Sequence, residues 1–165
     1  MSRGFVKEGD QEEVPMVTPR AYLPAGVENY VTPTGMQELQ DEREALLQER
    51  LQYENVDNND ARINRNYLSA KLQLLEERIR TARVLEYDSK KQKEIAFGAV
   101  IQYKNLNNGQ TAEYRIVGVD EANITQGKIS FLSPLSKVLL RKKKGDIVTF
   151  KTPSGEMRLE ILGIR

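Results

Sequence analysis

The chain is predicted to be an α+β protein: an N-terminal antiparallel α-helical coiled-coil hairpin followed by a C-terminal β-sheet domain with one short helix. Three observations predict it. Residues 34–85 are filled with Glu, Gln, Leu, Arg and Ala, and within them Leu68, Leu72, Leu75, Ile79 and Ala82 recur every three or four positions. A cluster of amides and acids from Asn55 to Asp60 interrupts that run and favours a turn. From Phe97 onward the apolar period changes to two, as in a half-buried strand.

Each element follows in order. Residues 1–33 carry Pro15, Pro19 and Pro24 among polar residues with no sustained period, which predicts an extended, flexible tail. Its apolar residues Phe5, Val14, Met16, Val17, Tyr22 and Leu23 are those that would dock it. Thr32-Pro33-Thr34 opens the first helix, with Thr32 as N-cap and Pro33 in the first turn. Met36, Leu39, Leu46, Leu47, Leu51 and Tyr53 supply its apolar face. Asp60 or Asn59 is expected to cap the second helix, and the arms should fold back antiparallel, each reaching roughly 30 to 40 Å. Residues 86–165 then form the sheet domain. A strand over Phe97–Tyr103 turns at Asn107-Asn108-Gly109 into Thr111–Val119, and Lys128–Leu132 is a further strand. Ser133-Pro134 opens a helix from Leu135 to about Lys143, closed by Gly145. Ile147–Lys151 and Met157–Ile164 make a last hairpin around Pro153-Ser154-Gly155.

Composition excludes several chemistries. The 165 residues include no Cys and no His, which removes disulfides, thiolate zinc sites, cysteine nucleophiles and Ser-His-Asp triads. A metal would have to be a hard ion held by oxygens. No apolar run is long enough to span a membrane, and Met1–Asp10 lacks the apolar core of a secretory signal, so a cytoplasmic protein is expected. The net charge of +1 hides an asymmetry: residues 86–165 hold 14 basic and 9 acidic side chains, and the rest is net acidic.

Two charge features could carry chemistry. The hairpin tip holds Glu54, Asp57 and Asp60, which either serve the turn or offer carboxylates to a magnesium ion in another protein. Arg141 and Lys142–Lys144 either complement a helix C-terminus or form a patch for nucleic acid or an acidic partner. Arg62, Arg65 and Lys71, near the tip, are either the polar face of the helix or contacts to a phosphate backbone.

Tyr30–Met36, Phe97-Gly98-Ala99, Tyr114–Ala122, Ile129–Leu135, Lys143–Asp146 and Thr152–Glu156, taken together at their spacing, resemble the Gre family of bacterial transcription elongation factors. Met1–Glu8 is also similar to a GreB-like subgroup. The resemblance implies an FKBP-like C-terminal domain that grips bacterial RNA polymerase at its secondary channel, and a coiled coil that enters the channel. It implies polymerase-binding roles for Asp120, Glu121, Ser133 and Pro134, and a tip that shares the polymerase Mg2+ with no cofactor of its own. Nascent RNA would lie near the tip, with no membrane and no sequence-specific DNA binding. At that tip the family carries an Asp and a Glu three apart. Here Asp60 takes the Asp position and Ile63 the Glu position, while Asp57 and Asp60 form a displaced pair. The arms are also shorter by roughly a heptad each, roughly 10 Å of reach. The expectation is a factor that modulates elongation with weak or no stimulation of transcript cleavage, any cleavage being performed by the polymerase. An active cleavage factor using Asp57 and Asp60 is the alternative. A peptidyl-prolyl isomerase, suggested by the rear fold, is a third.

Overall fold

The computed structural model describes residues 15–165. The readings of Met1–Asp10, including the family-like start at Met1–Glu8, and of Phe5 and Val14 lie outside the described residues. In chain order the elements are β1 (Asn29–Val31), α1 (Pro33–Leu51), α2 (Asn59–Thr81), β2 (Ala82–Val84), β3 (Val100–Asn105), β4 (Thr111–Val117), β5 (Lys128–Ser130), α3 (Pro134–Leu139), β6 (Ile147–Thr152) and β7 (Gly155–Ile164). One turn of 3-10 helix, Ile124–Gln126, lies between β4 and β5.

The first helix starts as expected. The Thr32 hydroxyl accepts the N–H of Gly35 at 2.9 Å, and Pro33 stands in the first turn, where its missing N–H costs nothing. The second helix is capped one residue earlier than expected, by Asn58, whose side chain accepts the N–H of Ala61 at 2.8 Å. Asp60 instead lies in the first turn, where its charge complements the helix dipole. The arms, 19 and 23 residues long, measure about 28 and 34 Å. Leu39 and Leu46 of α1 pack with Leu68, Leu72 and Leu75 of α2, and Leu75 is fully buried. Leu51 is exposed, because α1 ends there with no facing turn to cover it.

Two features at the hairpin base depart from expectation. Strands β1 and β2, three residues each and so too short to show a period, pair in parallel and tie the start of α1 to the end of α2. Buried Asn29 strengthens the tie by donating to the Arg78 carbonyl at 2.9 Å and the Thr81 hydroxyl at 3.2 Å. The second departure is the tail. Residues 15–28 lie against the helix pair, with Leu23 and Val27 half-buried and the Ala21 carbonyl accepting from Arg78, while Met16 and Tyr22 are exposed. The guanidinium of Arg20 fastens this segment together with its half-buried apolar residues (below).

The rear domain is a five-stranded sheet in the order β5-β4-β3-β7-β6, antiparallel except for the parallel β4–β5 pair. Ile101, Ile116, Leu159 and Ile161 from the strands and Leu139 from α3 form a core from which water is excluded. The first strand begins at Val100 rather than Phe97, because Gly98 turns through φ +87 and donates to the Ile116 carbonyl. Helix α3 stops at Leu139, short of Lys143, because Arg141 adopts φ 66, a left-handed conformation that no helix continues through.

Replacing Leu75 with Ala opens a cavity in the hairpin seam and should cost about 2–5 kcal/mol in urea unfolding. Leu51→Ala, at an exposed end, should stay within about 0.5 kcal/mol.

Candidate functional site

Two places gather the residues singled out by sequence: the hairpin tip and the junction at its base. The tip is built by Arg65 on α2. Its guanidinium donates to the carbonyls of Tyr53 at 2.5 Å and Val56 at 2.9 Å, both in the turn that follows α1. Arg62 donates to Asn59 at 3.0 Å, and Lys71 lies over the Tyr67 ring, 5.5 Å from its centroid. Arg65 is thus committed to the turn itself. Asp57 and Asp60 are exposed, and neither takes part in an ion pair among the described residues. No group of three or more metal-ligating side chains forms there or elsewhere among the described residues. The tip therefore presents two carboxylates without closing a site around a cation, which would need six or more oxygens from protein, water or a partner. Ile63, three residues past Asp60, is 54% exposed and adds apolar surface beside them.

At the other end the structure turns Asp120 and Glu121 inward. Asp120 accepts from Arg20 Nε at 2.9 Å and lies 3.4 Å from Arg78 Nε, its side chain 8% exposed. Arg20 extends its other two nitrogens to Glu42 at 2.8 and 3.0 Å, a bidentate pair. The hydrogen bonds it donates to Glu42, with Asp120 beside it, hold the Arg20 guanidinium above its usual pKa. Glu121 is deeper, its side chain 2% exposed. It accepts the Thr32 hydroxyl at 2.5 Å, and Lys128 Nζ stands 3.6 Å from it and 3.5 Å from Glu38. The tail, both helices and the loop after β4 thus meet on two adjacent carboxylates.

Packing closes the same junction. The Tyr30 ring lies 5.8 Å from Phe97 and 5.6 Å from Phe131, and these two are 5.6 Å apart edge to face. Gly35 and Gly118 are required here by close approach: a Cβ on Gly35 would run into the Glu121 carboxylate, and one on Gly118 into the Tyr30 carbonyl. Ser133 and Pro134 leave from the same end of the sheet as Asp120 and Glu121, because β4 and β5 run parallel with Val117 opposite Ser130. Ser133 caps α3 by accepting the Ser136 N–H at 3.1 Å, and Pro134 is exposed. The four residues expected to act together therefore lie at one end, with the carboxylates internal and Pro134 on the surface. Arg20, Arg78, Lys128 and Thr32, their partners, were not distinguishable by sequence as a set. The available signal was glycine: Gly35 in a first helical turn is unfavourable unless something packs against it.

The aromatic side chains that an isomerase pocket would need are packed against the core instead, among them Tyr103, Tyr114, Phe131 and Phe150. The fold and these two places define a class: a helical hairpin with an acidic tip, fastened at its base to a mixed β-sheet domain. Residues 90–165 match the family model for the C-terminal domain of the transcription elongation factors GreA/GreB. The chain is 37% identical over 115 residues to a transcription elongation factor GreA from Baumannia cicadellinicola subsp. Homalodisca coagulata, covering 67% of this chain and 71% of that one. It is 32% identical over 136 residues to a transcription elongation factor GreA from Nitratidesulfovibrio vulgaris, covering 78% and 85%. Among solved structures, the GreA factor homolog 1 (Gfh1) protein of Thermus thermophilus aligns at 24% identity with a TM-score of 0.40, covering 84% of this chain and 99% of that one. The chain belongs to the GreA/GreB family of transcription elongation factors.

Glu121→Ala leaves the buried Thr32 hydroxyl without its acceptor and should cost about 1–3 kcal/mol in urea unfolding, Lys128 keeping Glu38 as a partner. Gly118→Ala should lower stability by about 1–3 kcal/mol, through displacement of β1, and speed tryptic cleavage near Arg83.

Proposed function

We propose that this chain binds bacterial RNA polymerase at its secondary channel and modulates elongation with weak or no stimulation of transcript cleavage. The observation that carries the reading is the tip: two exposed carboxylates, Asp57 and Asp60, at the free end of the hairpin, with apolar Ile63 following them. Membership of an elongation-factor family supports polymerase as the partner. In this reading the chain performs no chemistry alone. Ser133 and Pro134 contribute to the polymerase-facing surface, and Asp120 and Glu121 act through the loop they hold in place. Asp57 and Asp60 approach the polymerase-bound Mg2+ and the nascent RNA near it. A magnesium ion held there by the polymerase would act as the Lewis acid that polarises the phosphodiester and activates water, and Asp57 and Asp60 would be the two carboxylates of this chain available to it.

The exposure of both carboxylates favours one second reading, in which the displaced pair supports active cleavage. Stalled, backtracked complexes separate the two. With the wild-type chain, shortening of the RNA 3′ end should rise by less than about tenfold, a barrier change below about 1.4 kcal/mol, while elongation through pauses changes. Rapid shortening that disappears in Asp57→Ala with Asp60→Ala would establish the second reading instead. Pro134→Arg should reduce retention on core polymerase without lowering the melting temperature, since Pro134 is exposed.

A further inference from the structure

The sheet domain carries a cationic surface that the tip and the junction do not use. The backbone joins two segments that are far apart in sequence. Glu94 and Lys143 form an antiparallel bridge, the Ile95 N–H donates to the Lys142 carbonyl at 2.8 Å, and the Arg141 N–H donates to the Ile95 carbonyl at 2.8 Å. This brings Lys90, Lys91 and Lys93 beside Lys142, Lys143 and Lys144, with Arg141 at the left-handed turn between α3 and the lysine run. All seven are exposed. The same two segments hold only Asp88, Glu94 and Asp146 as acids. Of the cations, Lys91 pairs with Asp88 at 3.5 Å and Lys143 with Glu94 at 3.5 Å, both exposed pairs of little strength.

The surface is also held in shape. The Tyr87 hydroxyl donates to the carbonyls of Gln92 and Glu94 at 3.2 and 3.1 Å, and Asp146 accepts the Lys143 N–H at 2.8 Å. Fixed loops lower the ordering cost of binding. Complementing the short helix α3 needs one or two cations near its end, not lysines from a segment 50 residues earlier.

We infer that this face binds the phosphate backbone of duplex nucleic acid, without reading sequence. The composition of the patch selects that partner. Protein interfaces are depleted in Lys and built around apolar anchors, and here the exposed side chains of residues 88–95 and 141–146 are Lys, Arg, Ser, Gln and acids, with Ile147 the single exposed large apolar side chain next to them. Single strands are held by stacking on exposed aromatics, and Tyr87, the aromatic of this loop, is half-buried with its hydroxyl turned to the backbone. Phosphate recognition needs only spaced cations. The inference is independent of the polymerase reading, because it is tested on free nucleic acid.

The probe is a fluorescently labelled, mixed-sequence duplex DNA of about 20 base pairs, titrated with the full chain between about 50 and 200 mM salt. The expected result is binding that falls linearly with log salt and is indifferent to sequence. Lys93→Ala with Lys144→Ala should lower affinity on the order of tenfold or more and reduce the slope by about 2, one counterion per lost contact. A charge-matched control, Lys104→Ala with Lys151→Ala, alters the C-terminal ends of β3 and β6, at the opposite end of the sheet, and should leave the slope unchanged. Absence of binding at the lowest salt overturns the inference, as does an equal effect of both double variants. Tighter binding to polyglutamate than to the duplex overturns it in favour of an acidic protein partner.

Discussion

A single hydroxyl, that of Thr32, couples the direction of the hairpin to the rear domain. It accepts the Gly35 N–H, which starts α1, and donates to Glu121, which belongs to the loop after β4. A carboxylate that deep in protein is costly unless its lone pairs are met by donors and its charge by a cation. Thr32 donates to one oxygen of Glu121, and the Lys128 ammonium stands 3.6 Å from the other, so the charge is paired although that second oxygen has no hydrogen-bond donor of its own. Rotation of the hairpin against the sheet would break that hydrogen bond and leave both Glu121 oxygens without a donor, with Lys128 of the same domain as the remaining partner. The Asp120 cluster repeats the logic with Arg20 and Arg78, drawing the tail into the same joint.

The hairpin is therefore aimed from its base. The ion pairs and hydrogen bonds described between helices and sheet domain fall on the start of α1, at Thr32 and Glu38, and on Arg78 near the end of α2. Farther out the arms pack on each other through leucines, and the exposed Arg43–Glu76 pair adds little. At the tip Arg65 closes the turn by taking up two carbonyls, so that closure does not depend on the exposed Asp57 and Asp60 carboxylates. A short, stiff support with unburdened carboxylates at its end suits presentation to a partner better than chemistry of its own.

Charge is distributed to match. The chain is nearly neutral as a whole, yet acids cluster on the hairpin and cations on the sheet domain. Two of the nine acids in the basic rear half, Asp120 and Glu121, are paired with internal cations and add little field outside. Local cationic surface and global neutrality are thus compatible, and a whole-chain charge is a poor guide to what one face attracts.

The hairpin, its turn, the Thr32 cap and the strand order along the chain were legible because each rests on local rules. Those rules are helix propensity, a 3.5-residue period, a hydroxyl before Pro, and alternation. Local rules also placed the cap at Asn59 or Asp60 rather than Asn58, and ran α3 past the left-handed Arg141, since several neighbouring residues suit either role. The sequence by itself determined the two long helices and the strands of the rear domain, and that acids stand at the far end of the hairpin. Only the tertiary structure decided that Asp120 and Glu121 face inward, that Arg20 secures the tail, and that two distant lysine runs share a surface. Each of those depends on pairing between residues 50 to 100 positions apart, and no periodicity or propensity carries information over that distance.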